Sequence, residues 1–110
     1  LFPVENATQV LQQATVVVDL EAGYAAELEI DGILLPTTRI GEIELEPGEQ
    51  FTVPPTAVYD PGNAVISFQP SEDALIESFT EGRHEARVIY WKIEEGRDFA
   101  QSYRWSFNVV

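Results

Sequence analysis

The chain contains no cysteine and no methionine, a single histidine (His84), and only 6 basic residues against 19 acidic ones. Without cysteine there is no disulfide framework, no thiolate catalysis and no zinc knuckle, so the core must hold by packing alone. With one imidazole and no thiol, ordinary zinc and copper sites are also excluded. Apolar runs are no longer than three or four residues. A bilayer-spanning helix needs roughly 20, so direct membrane insertion by these residues is not expected. The absent methionine and the start at Leu1 imply a processed product or a piece of something longer. Any signal peptide or membrane anchor is therefore expected upstream.

What is present is apolar enough to fold. The 110 residues are 45% hydrophobic, which places the chain among globular domains and suits one domain with a core of its own. Residues 1–13 read as a lead-in with a weak first strand at Gln9 to Leu11, and 14–110 as the folded domain. The net charge of −13 is uneven: residues 1–82 carry −14, with Arg39 as their lone base, and residues 83–110 carry +1. Such a field repels nucleic acid and anionic lipid, so neither is expected as a partner. Solubility is the plainest purpose of the charge.

Secondary structure is legible from period-2 alternation. Ala14 to Leu20 places Ala14, Val16, Val18 and Leu20 on one face. Tyr24 to Ile30 turns Ala26, Leu28 and Ile30 inward and Glu27 and Glu29 outward. Asp31-Gly32 between Ile30 and Ile33 is a type I′ hairpin signal, since that turn needs φ > 0 at both central residues. Ile33 to Leu35 pairs back until Pro36, Glu42 to Glu46 alternates, and Gln50 to Val53 is stopped by Pro54-Pro55. Asp60-Pro-Gly-Asn63 reads as a turn before the strand Ala64 to Phe68, with Pro61 presetting φ and Gly62 accepting a positive one. Ser71 as N-cap, with Leu75, Ile76 and Phe79 at helical spacing, predicts one or two helical turns.

Two richer runs close the chain, Glu85 to Ile93 and Gln101 to Val110, joined by a polar connector. In the second, Tyr103, Trp105, Phe107 and Val109 alternate with Arg104, Ser106 and Asn108. Seven or eight short strands with turn signals between them predict an all-β antiparallel sandwich, immunoglobulin-like in its order. A short helical turn would precede the penultimate strand. The expected core includes Val16, Val18, Leu28, Ile30, Val88, Tyr90, Trp105 and Phe107.

The C-terminal pattern resembles bacterial immunoglobulin-like domains. It consists of Gly82-Arg-His84-Glu-Ala-Arg-Val88, a polar turn at Glu94 to Asp98, and Tyr103-Arg-Trp105-Ser-Phe107-Asn-Val109. Val65 to Pro70 followed by Leu75 to Gly82, and Ala25 to Pro36 with its Asp-Gly turn, are similar to theirs as well. More narrowly, residues 14–110 resemble the extracellular domain of single-pass membrane proteins of actinobacteria. The resemblance implies an extracytoplasmic, non-enzymatic module, used as a spacer or for adhesion. It also implies a packing role for His84.

Chemistry is sparse. A Ser-His-acid site has only His84 to draw on, and no Gly-x-Ser-x-Gly elbow or phosphate-cradling Gly-rich loop is present. No cofactor is expected. Calcium would need about six to eight converging oxygens. Glu27/Glu29/Asp31 and Glu42/Glu44/Glu46 are spaced by two, which suits solvated strand faces instead.

The closing hairpin carries the candidate interaction face. If Ala86, Val88 and Tyr90 point inward, Arg87, Ile89 and Trp91 point outward. An immunoglobulin-like order would set Glu27 and Glu29 beside Arg87, with Arg104 on its other side. Outward Ile89 and Trp91 would form a contact surface for a protein partner or a second copy. The alternative is that a loop covers them. Two other functions stay open: a carbohydrate-binding sandwich stacking sugars on Tyr24, Tyr59 or Trp91, and a calcium-dependent adhesion domain.

Overall fold

A computed structural model describes residues 1–39, 56–72 and 74–110. The expected strands at Glu42 to Glu46 and Gln50 to Val53, with their proline stops, lie outside the described residues, as does Asp73. The fold is an all-β sandwich of two sheets. Among the described residues it has nine strands: β1 (Ala7–Val10), β2 (Val16–Asp19), β3 (Tyr24–Ile30), β4 (Ile33–Leu34), β5 (Thr37–Arg39), β6 (Ala57–Asp60), β7 (Val65–Phe68), β8 (Gly82–Lys92) and β9 (Gln101–Val109). One sheet has the order β1-β9-β8-β3-β4 and the other β2-β7-β6-β5. Most neighbours are antiparallel, but β1 runs parallel to β9 and β5 parallel to β6.

The alternation read from the sequence sets the register. Leu28 faces Val88 and Ile30 faces Ala86 across β3 and β8, while Ala86 faces Trp105 and His84 faces Phe107 across β8 and β9. From the other sheet, Val16, Val18, Ile66 and Phe68 meet them in one buried cluster. Trp105 and Phe107 are 2% and 0% exposed, so the closing hairpin fills the space between the sheets. At roughly 25 cal/mol per Å² of apolar surface removed from water, side chains of this size dominate the stability of a cysteine-free domain. Tyr90, expected in the core, is only partly buried and packs at its margin.

The Asp31-Gly32 turn has φ of 52° and 83°, the left-handed pair that a type I′ hairpin requires. Leu35-Pro36 moves the chain between sheets: the Leu35 amide donates to Leu28 O, and Pro36 O accepts from the Ala57 amide. Proline stops β4 because it has no N–H for the ladder.

Three local expectations are corrected. First, Ser71 to Phe79 forms turns and bends where described, not a helical turn. Phe79 is buried while Leu75 is 62% exposed, so these residues do not share one helical face. The Phe79 amide donates to Gln12 O at 2.8 Å, a tertiary bond that replaces an intrahelical one. A stretch this short cannot offset helix nucleation by itself. The 3₁₀ turn of the described residues lies at Arg97–Phe99, between the last two strands. Second, the 60–63 turn places its left-handed residue at Ala64 (φ 53°), not at Gly62. Asp60 shapes it as an Asx turn, accepting from the Gly62 amide at 2.9 Å and from Asn63 Nδ2 at 2.8 Å. Third, β6 was not foreseen as a strand, although Ala57 and Tyr59 lie in the core.

Candidate functional site

The outer face of β3, β8 and β9 holds the six residues singled out from the sequence. Strand β8 lies between β9 and β3. Its register sets Arg87 between Glu29 and Arg104, Ile89 between Glu27 and Ser102, and Trp91 opposite Ala25. Because side chains alternate along a strand, Arg87, Ile89 and Trp91 share the outer face.

Ion pairs organise this face. Arg87 Nη1 is 3.7 Å from Glu29 Oε2, with both side chains about a quarter to a third exposed. Arg104 faces Arg87 across the ladder, and such a like-charged pair is unfavourable unless each charge has another partner. Arg104 turns to Glu85 at 3.7 Å. Glu27 does not reach Arg87: it accepts from Arg97 Nε at 2.8 Å. That hydrogen bond, followed by the Glu27 charge, holds the Arg97 pKa above its ordinary value. Arg87 Nε is buried with no hydrogen-bond partner among the described residues, and Trp105 Nε1 is likewise.

Arg97 belongs to the 3₁₀ turn, whose Phe99 and Ala100 amides donate to Gly96 O and Arg97 O. From there it reaches back over the sheet, with its guanidinium carbon 5.9 Å from the centroid of the Trp91 ring. This cation–π contact and the Glu27 bond fold the β8–β9 connection onto the outer face. The connection therefore narrows the apolar area that this face presents to solvent. Ile89 is on the outer face but only 9% exposed, and Trp91 is partly buried. What stays open is the side of Trp91 toward a cleft of about 520 Å³, lined also by Ala25, Leu34, Pro36 and Arg39.

The acids along β3 and its turn are each engaged by a basic side chain: Glu27 meets Arg97, Glu29 meets Arg87, and Asp31, in the turn that follows, meets the His84 ring. Sequence reasoning had placed Arg87 beside this row. It missed Arg97, which is ten residues further along the chain and reaches the row only through the connector's fold. Among the described residues, no group of three or more His, Asp or Glu side chains converges on a point where a metal ion could sit. The Glu42/Glu44/Glu46 set lies outside the described residues.

The aromatic residues considered for sugar stacking are dispersed. Tyr59 is 4% exposed and its hydroxyl donates to Tyr24 O. Tyr24 pairs with Tyr90, their centroids 6.0 Å apart and their planes tilted by 53°. His84 is buried at the far end of β8, both ring nitrogens within hydrogen-bond distance of internal oxygens.

The chain matches no protein-family model, and neither curated proteins nor solved structures give a significant match.

Proposed function

We propose that the chain is a non-catalytic, immunoglobulin-like extracellular module of a bacterial surface or membrane-anchored protein, serving as a spacer or a protein-interaction domain. The strand order carries this reading. β9-β8-β3 and β2-β7-β6 have the adjacency of the G-F-C and B-E-D strands of an immunoglobulin sandwich, with the penultimate strand central in its sheet. Both nitrogens of the sole imidazole are engaged internally, which leaves no general base of that type for a nucleophile. The dispersed, partly buried tyrosines weigh against sugar stacking, and the pairing of Glu27 with Arg97 and of Glu29 with Arg87 weighs against calcium on β3.

Two measurements test the reading. Lys92 is the only lysine and is exposed. A membrane-impermeant amine reagent is expected to label the protein on intact cells of its source. Protection until lysis would remove the extracellular assignment. For the interaction role, sedimentation of the wild type and Trp91→Ser should show concentration-dependent association that the variant loses, with an almost unchanged thermal midpoint. A large fall in midpoint would identify Trp91 as a core residue instead. A wild type that stays monomeric throughout would leave the spacer role.

A further inference from the structure

The one histidine is held in a way that fixes its protonation. His84 is 8% exposed, and Nδ1 lies 2.5 Å from Asp31 Oδ2 while Nε2 lies 2.7 Å from the backbone oxygen of Thr80. A carboxylate and a carbonyl are both acceptors. A neutral imidazole has one N–H, so in either tautomer one of these contacts would oppose two lone pairs at close range. With Asp31 ionised, only the doubly protonated ring satisfies both. Asp31 is prepared as its counter-ion, because Oδ1 already accepts from the Glu85 amide at 2.9 Å.

The three participants come from different parts of the chain. Asp31 is the first central residue of the β3–β4 hairpin turn, and its own amide donates to Glu85 O at 2.9 Å. Thr80 lies near the end of the long connection from β7 to β8, just after the buried Phe79. The His84 ring packs against Phe79 at 5.3 Å and against Phe107 at 6.0 Å, the latter stacked at 27°. The stacked contact with Phe107 suits a cation above an aromatic face.

We infer that His84 is a charged clasp at neutral pH, tying the β3–β4 hairpin to the β7–β8 connection, and that raising the pH releases it. Among the described residues, Asp31 is the charged side chain that meets the ring. Glu85 and Arg83 flank it on β8 and engage other groups, Arg104 at 3.7 Å and Ser106 Oγ at 2.7 Å. Glu81 in the connection is exposed, and β9 presents Phe107 at this register. Burial opposes the charged ring, but the hydrogen bonds to Asp31 and Thr80 and the Asp31 charge outweigh it, so the pKa is raised.

The sign follows from linkage. Below the ordinary imidazole value of about 6.5 the ring is charged in both folded and unfolded chains, and the clasp contributes fully. Between that value and the raised folded pKa, the folded chain retains a proton that the unfolded chain has released. The folding equilibrium then weakens by up to about tenfold per pH unit until the folded ring also titrates.

Because there is one histidine, its ring signals in a ¹⁵N-labelled full chain need no separation from others. Both ring nitrogens are expected to be protonated at pH 7, with a titration midpoint above about 6.5. Asp31→Asn should move that midpoint down and flatten the dependence of the thermal midpoint on pH above it. His84→Gln, if folded, should abolish that dependence. A single neutral tautomer at pH 7, or a midpoint that Asp31→Asn leaves in place, would overturn the inference.

Discussion

Arg97 lies across the ring of Trp91 while its Nε donates to Glu27 at 2.8 Å, so one side chain joins the β8–β9 connection to both β8 and β3. The only other tryptophan, Trp105, is 2% exposed, so a soluble quencher of tryptophan fluorescence samples Trp91 selectively. Arg97→Ala is expected to increase acrylamide quenching clearly and to lower the thermal midpoint only slightly, because the lost contacts are solvent-exposed. Unchanged quenching would show that the connection holds its place without Arg97.

Glu29 and Arg87 form the cross-strand pair at the centre of this face. Their separation of 3.7 Å and partial exposure place them in the class of screened surface pairs. A double-mutant cycle with Glu29→Gln and Arg87→Gln should give a coupling of roughly 0.2–1 kcal/mol in urea unfolding, and less in high salt. A salt-insensitive coupling well above that range would mean the pair is effectively desolvated.

Phe79 has no strand around it, yet it is 1% exposed and meets Phe107 edge-on at 5.5 Å. Phe79→Ala should therefore destabilise by about 3–5 kcal/mol, as a strand-borne core phenylalanine does. Phe99, 69% exposed in the 3₁₀ turn, is the control, and its replacement by alanine should stay within about 0.5 kcal/mol. Equal effects of the two would mean that the β7–β8 connection is not packed as described.

What was legible in the sequence was what periodicity records. Strands β3 and β9 alternate strongly enough that Leu28, Trp105 and Phe107 read as inward, as they are, whereas the unbroken apolar run Val88 to Trp91 in β8 does not fix its own register. β6 escaped notice because its outward Val58 hides the alternation of Ala57 and Tyr59, and prolines close in on both sides. The supposed helix at 71–79 was suggested by spacing alone, and a tertiary bond to Gln12 displaced it. At the candidate face, the register of Glu29 and Arg87 followed from strand order, but the cover over Ile89 did not. Nor did the contact of Arg97 with Glu27 and Trp91, which depends on where a loop arginine lands, and no periodic signal carries such information.

Gly32 illustrates how a turn position can be tested apart from packing. Its φ is 83°, and a Cβ built there would have nothing within 4 Å. Gly32→Ala therefore has room, and its cost is conformational, about 1–2 kcal/mol for a left-handed L-residue. Asp31, already left-handed beside it, allows no relief by shifting the turn without loss of its bonds to Glu85 and His84. Chemical denaturation should show that loss with an unchanged m-value. A neutral result would mean that the hairpin changes turn type to accommodate the methyl group.

The Asx turn at Asp60 gives the acid-side counterpart of the histidine clasp. The hydrogen bond from Asn63 is the main cause holding the Asp60 carboxyl below the ordinary carboxylate value; desolvation opposes it, and the amides of Gly62 and Asn63 add to the lowering. A depressed folded pKa means that the turn's contribution is complete above the unfolded value of about 3.9 and is lost as pH falls through the folded one. Asn63→Ala should raise the Asp60 midpoint toward that value in a carbon-detected NMR titration, and the loss of stability on acidification should then involve this group less. If the midpoint stays where it was, the two backbone amides alone hold the carboxylate, and the side chain of Asn63 is dispensable to the turn.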